Sequence, residues 1–267
     1  MKRPDAERRT RGKPRKRMPP STGRNIHEVP PTRLPVFPSS PPPPAQDWLI
    51  WQLADSAFPT GGFAHSSGLE AAWQHGEVRN REELASFLET SLRQAGSAAL
   101  PLVAAAHDEP ARLEEFDHLC DAFTTNHVVN RASRAQGRAL LAAIERTLRT
   151  PNSELRTPHS ALRIPHSEFF HLAPVFGAVT RSLEIPRDVA LRLFVFLHLR
   201  SLLASAVRLN IVGPMEAQAM QFRFSAIAER LLADSVSLAV EALAQTAPLL
   251  DLWQGTQDRL YSRLFQS

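Results

Sequence analysis

A chain of 267 residues with a single cysteine, Cys120, cannot form an intramolecular disulfide or a thiolate-rich zinc site. Residues 1–45 hold 11 Lys+Arg against three acids, a net of +8, whereas the rest holds 20 against 24, a net of −4. All three lysines, Lys2, Lys13 and Lys16, lie in that first stretch, which excludes a Walker or Schiff-base lysine from the remainder.

Residues 1–45 also carry 12 of the 22 prolines, including the run Pro41–Pro44. With few large apolar side chains to bury, they cannot offset their ordering entropy, and a disordered basic Pro-rich tail is expected. No aromatic residue is interleaved with its charges, so it lacks the stacking platform of a nucleic-acid binder. No apolar core follows the basic start, so a secretory signal is not expected and a cytoplasmic protein is the simplest reading.

Residues 46–267 read as one all-α domain of roughly eight to ten helices. Asp47 can cap a first helix to about Ala57, ended by Pro59 and Gly61-Gly62. A second is expected from Phe63 to Gln74, with Phe63 anchoring the turn in the core and Gly76 as the stop. Asn80 and Glu83 form an N-x-x-E start for a long helix toward His107, kinked at Pro101. Glu114, Asp117, His118 and Asp121 share a face that could hold a hard cation, although a solvated acidic face is the commoner outcome. Next, Val128, Ala132, Ala135, Ala139, Ala143 and Ile144 follow one apolar face, with Arg131, Arg134 and Arg138 on a solvated one.

"RTPNSEL", "RTPHSAL" and "RIPHSEF" are three consecutive heptapeptides. Pro151, Pro158 and Pro165 forbid a continuous helix through them, so residues 149–168 are read as a loop insertion. His159 and His166 on this loop are incidental rather than a metal pair. A helix opening at Pro186 should run to about Asn210 and be central, being apolar almost all round. Arg192, His198, Arg200 and Arg208 make it a poor membrane span. His198, Ser201, Ser205 and Arg208 form its one polar row, either a wet stripe or a seam along an interface or passage. Arg208, deep in an apolar segment, needs a hydrogen-bonded partner. Gly213-Pro214 then turns the chain into a helix from Met215 to about Gln245, closed by Pro248. In the last segment Tyr261, Leu264 and Phe265 are either core packing or interface anchors beside Arg263.

The glycine-rich stretch "DSAFPTGGFAHSSGLE" fits no enzyme template. Ala64 replaces the first glycine of a nucleophile elbow around Ser66, and "PTGG" lacks the length and lysine of a P-loop. With no catalytic constellation elsewhere, the chain is read as a non-enzyme.

The same stretch, with "RASRAQGRALL", "HLAPVFGAVTRSL", "ASAVRLNIVGPMEAQ" and the final "LYSRLFQS", resembles the urease accessory protein UreF family over residues 48–267. The matching positions include Pro59, Gly61, Gly62, Phe63, His65, Gly68, Glu70, Arg208, Gly213 and Gln218, then Tyr261, Arg263, Leu264 and Phe265. The resemblance implies an all-α homodimer without catalysis of its own or a cofactor of its own. Such a protein binds UreD (also called UreH), recruits the GTPase UreG, and takes part in nickel delivery to the urease apoprotein. Tyr261, Arg263, Leu264 and Phe265 are then the partner-binding residues, and Glu70 and Glu216 a possible nickel path. Regulation of UreG's GTP hydrolysis through Arg263 is the alternative. Where family members often carry a Met-x-His pair, this chain reads Gly255 and Gln257.

Overall fold

The computed structural model describes residues 46–148, 164–235 and 239–267. The basic tail and all of the heptapeptide insertion except residues 164–168 lie outside them. The described residues contain ten α-helices and no strand, as expected for an all-α chain. They are α1 Gln46–Ala54, α2 Leu69–Gln74, α3 Arg81–Ala98, α4 Leu100–Asp108, α5 Leu113–Phe123, α6 His127–Leu148, α7 Leu172–Ser182, α8 Arg187–Arg208, α9 Pro214–Ser235 and α10 Pro248–Thr256.

The core is built on α4, α7 and α8. Helix α7 is buried continuously from Ala173 to Thr180, and α4 from Leu100 to Ala104. They can approach this closely because residue 177 is glycine. A Cβ there would stand 2.2 Å from the Val103 carbonyl oxygen and 2.9 Å from the His107 amide nitrogen. Helix α8 buries Leu191, Val195, Leu199, Leu202 and Ala206, while Arg192 and Phe196 face outward. By length and composition α8 could cross a membrane, yet its apolar side is core packing.

Several boundaries differ from expectation. The Asn80 side chain caps α3 by accepting the Glu83 amide at 2.9 Å, while Glu83 takes the Arg79 amide at 2.6 Å. The expected helix from Asn80 to His107 is two helices broken at Ala99. Pro101 has no N–H to offer the Ser97 carbonyl one turn back, and that oxygen accepts from the Ala244 amide at 3.3 Å. Helix α9 ends at Ser235, well before Gln245. Pro248 does not close a helix but opens α10, its missing N–H being harmless in a first turn. On α6, Ala135 is exposed and Ala139 half-buried, and Gly137 and Leu140 join Val128, Ala132, Ala143 and Ile144 inside. The face is rotated because Gly137 receives backbone: a Cβ there would lie 1.9 Å from the Phe170 carbonyl oxygen.

Candidate functional site

The stretch expected as one helix from Phe63 to Gln74 is a short 3-10 turn, a reversal and a short helix. Residues Gly62–Ala64 form the 3-10 turn and His65 is extended, at φ −124° and ψ 131°. Ser67 at φ 52° and Gly68 at φ 87° then reverse the chain into α2. Residue 68 has no room for a side chain, since a Cβ would meet Gln254 Cγ at 2.8 Å.

The polar row of α8 explains this shape. Ser201 Oγ donates to the Gly62 carbonyl at 3.2 Å and Arg208 to the Phe63 carbonyl at 2.5 Å, while Ser205 Oγ, 3.0 Å from the Ser201 carbonyl of its own helix, lies 3.4 Å from the His65 carbonyl. The row is thus a docking rail for backbone, and Arg208 is exposed at the helix end rather than deep in it. Because the turn is tied through its carbonyls, Phe63 does not anchor it in the core. Its ring points outward and is 73% exposed.

The residues that do turn inward meet the end of the sequence. Glu70 is buried, and its carboxylate accepts four hydrogen bonds. Oε1 takes the Leu264 amide at 2.6 Å and Gln74 Nε2 at 3.5 Å, and Oε2 takes Gln257 Nε2 at 2.6 Å and the Phe265 amide at 3.1 Å. His65 Nδ1 lies 2.6 Å from Ser267 Oγ, and the Ser66 amide donates to the Ser267 carbonyl at 2.5 Å. The Arg208 guanidinium covers the Phe265 ring at 4.1 Å. Burial, with Arg131 adding to it, pushes the His65 pKa down.

Residues 260–267 are therefore strapped down with two faces. Phe265 is buried, whereas Tyr261 is fully exposed and Leu264 is 58% exposed. Arg263 also faces outward and is paired with Asp258 at 3.0 Å. Gln257, where the resemblance implies a histidine, is buried in the strap's support. Its Nε2 faces two acceptors, Glu70 and the Phe265 carbonyl, which fixes the amide's orientation and leaves Oε1 without a partner.

A second buried carboxylate was hidden in the acidic face of α5. Asp117 is wholly buried and accepts from Ser167 Oγ and from the amides of Phe169 at 2.9 Å, Phe170 at 2.8 Å and His171 at 2.7 Å. It is neither a solvated acid nor a cation ligand but the anchor of the segment that enters α7. Nearby, His171 is held between Ser133 Oγ and Asp121 Oδ1, each at 3.1 Å. Its pKa is lowered by burial against the opposing pull of Asp121. Among the described residues, no group of three or more His, Cys, Asp or Glu is placed to hold a metal ion.

The remaining motif residues do not converge. Pro59, Gly213 and Gln218 are exposed, and Glu216 is paired with Arg81 at 3.2 Å. Two cavities of about 200 and 220 Å³ share His65, Ser67, Gln136, Leu172, Phe194 and His198 in their walls. His198 bonds Ser91 Oγ at 2.9 Å, and burial pushes its pKa down to about 4, leaving it neutral.

Comparison with known proteins decides what this architecture belongs to. The UreF family model matches residues 78–225. The chain belongs to the UreF family. It is similar to urease accessory protein F of Oryza sativa subsp. indica, with 39% identity over 82% of this chain and 84% of that protein. The Arabidopsis thaliana protein of the same name is also 39% identical, over 82% of this chain and 92% of its own length. Urease accessory protein UreF of Kocuria rhizophila is 30% identical over 82% and 95%. The motifs at Pro59–Glu70 and Tyr261–Ser267, far apart in sequence, are in this UreF-family chain the two sides of one strap.

Proposed function

We propose that this UreF-family chain is a non-catalytic scaffold for assembling the nickel metallocentre of urease. In this reading it binds UreD (UreH), the pair recruits the GTPase UreG, and the assembly delivers nickel to the urease apoprotein in the cytoplasm. Nickel is cargo in transit rather than a resident cofactor.

The observation that carries the reading is the strap. Glu70, His65 and Arg208 fix residues 264–267 from beneath, so that Tyr261, Arg263 and Leu264 stand out as a preset contact surface. Preorganisation lowers the entropy cost of docking, and aromatic and arginine side chains are favoured anchors. Homodimerisation has a candidate surface of its own. Trp48 and Trp51 of α1, Phe196 of α8 and Phe222 of α9 are exposed, and α8 packs on both α1 and α9.

A nickel path is a finer part of the proposal. Glu70 already holds four donors, so replacing it loosens the strap as well; Glu216 is the cleaner test. Glu216→Ala should lower nickel occupancy of the complex without dissolving it, and unchanged occupancy counts against a path through this residue.

The experiment for the whole reading is co-purification with UreD and UreG, then a urease assay in a strain lacking this gene. Complex formation and restored activity are expected; failure to bind UreD overturns the reading. One observation favours a second role: Arg263 is solvent-accessible and, among the described residues, is paired with Asp258 alone, as a finger reaching a nucleotide site requires. Single-turnover GTP hydrolysis by UreG, with and without this chain, separates that role from pure scaffolding.

A further inference from the structure

Asp258 joins α6 to the strap. Arg131 Nη2 lies 2.9 and 3.0 Å from its two carboxylate oxygens, Arg263 Nη1 3.0 Å from Oδ1, and His127 Nε2 3.4 Å from Oδ2. One carboxylate thus serves two guanidiniums brought together by the fold, and positive charge is left over. The arginine side chains keep about half their surface in solvent, at 55% for Arg131 and 43% for Arg263. Each retains N–H groups that Asp258 does not use, in the planar fork that suits a carboxylate. Arg131, in particular, loses its appearance as one member of a solvated row.

We propose that Asp258 is a positioning residue: it presets Arg263, with Arg131 beside it, to receive an acidic side chain of the docking partner. An arginine on an exposed segment otherwise samples many rotamers, which docking would have to freeze. Asp258 restricts that freedom beforehand. The Asp258 carboxyl is itself held below the usual carboxylate range, foremost by the hydrogen bond from Arg131, then by the charges of Arg263 and His127. The inference rests on the scaffold reading above, because it needs a partner at the strap.

The test titrates the full chain and four variants, Asp258→Asn, Asp258→Glu, Arg131→Ala and Arg263→Ala, against purified UreD, with UreG then titrated into the resulting complex. Hydrogen exchange of the Leu264 and Phe265 amides is followed in parallel. Asp258→Asn should weaken binding about fivefold and Arg131→Ala about threefold, as expected for solvent-exposed charge clusters. Asp258→Glu should recover most of the loss. The two amides should stay protected throughout, since Glu70 holds them. Binding by Asp258→Asn and Arg131→Ala equal to the parent, while Arg263→Ala binds poorly, overturns the positioning role and leaves the scaffold reading standing. Loss of binding together with loss of amide protection also overturns it, since Asp258 would then only be holding the strap. A parent chain that does not bind UreD removes both readings.

Discussion

Asp117 and Glu70 are built alike but hold different things. Each is buried, each accepts four hydrogen bonds, two or more of them from backbone amides, and neither is ion-paired among the described residues. Asp117 holds residues 167–171, which lead straight into the core helix α7. Glu70 holds residues 264 and 265, and the next two residues bond to Ala64, His65 and Ser66. The same chemistry therefore fixes the fold in one place and displays a surface in the other. A carboxylate suits both tasks because its two oxygens can gather several amides without a side chain of their own to position.

The comparison breaks most visibly at Asp117. Asp117→Ala orphans four donors inside the protein and should lower global stability by about 4 kcal/mol, read from the urea midpoint. A loss below about 1 kcal/mol means that the segment is held by packing instead. Gly137→Ala attacks the same segment from the other side, through the Phe170 carbonyl, and should cost about 3 kcal/mol by overpacking. Glu70→Gln should cost only about 1.5 kcal/mol, because the strap can detach while α7 stays in place. An Asp117→Ala loss no greater than that of Glu70→Gln would remove the distinction.

Acid should separate the two clamps through their histidines. His171 and His65 both have pKa values depressed by burial, so the folded state binds fewer protons than the unfolded one below the usual histidine value of about 6.5. Stability is then lost as pH falls. Asp121 partly offsets this at His171, whereas no acid is among the causes at His65, where Arg131 adds to the depression. Between pH 7 and 5 the Leu264 and Phe265 amides should therefore lose protection before those of Phe170 and His171; the reverse order contradicts the assignment. The smallest effect belongs to Tyr261→Ala. It should change stability by less than about 0.5 kcal/mol while weakening binding to UreD and UreG, and unaltered binding takes Tyr261 out of the partner surface.

Much of this fold was legible in the sequence. The Asn80 cap, the central α8 and the turn at Gly213-Pro214 follow from local chemistry and a 3.6-residue period. What was not legible depends on contacts across the chain. Asp117 was grouped with charged neighbours, although its spacing from Leu113 and Cys120 puts it on the apolar face that α5 buries, and counting that period would have found it. Glu70 lies in a helix of six residues, too short for any period to mark its burial. Phe63 reads as the core anchor of its turn, yet the turn is tied by its carbonyls to a row on α8 that is 139 or more residues away. The strap was visible only as a matching motif. Its partner in space, Gln257, looked like a missing histidine.

Glu70 holds residues 264 and 265 as a preset surface. Hydrogen exchange on the full chain, comparing the parent with Glu70→Gln, tests it most directly. The Leu264 and Phe265 amides should be protected in the parent and exchange about tenfold or more faster in the variant, with the amides of α4 and α7 unchanged. Equal exchange in the two proteins, or amides already unprotected in the parent, would contradict it.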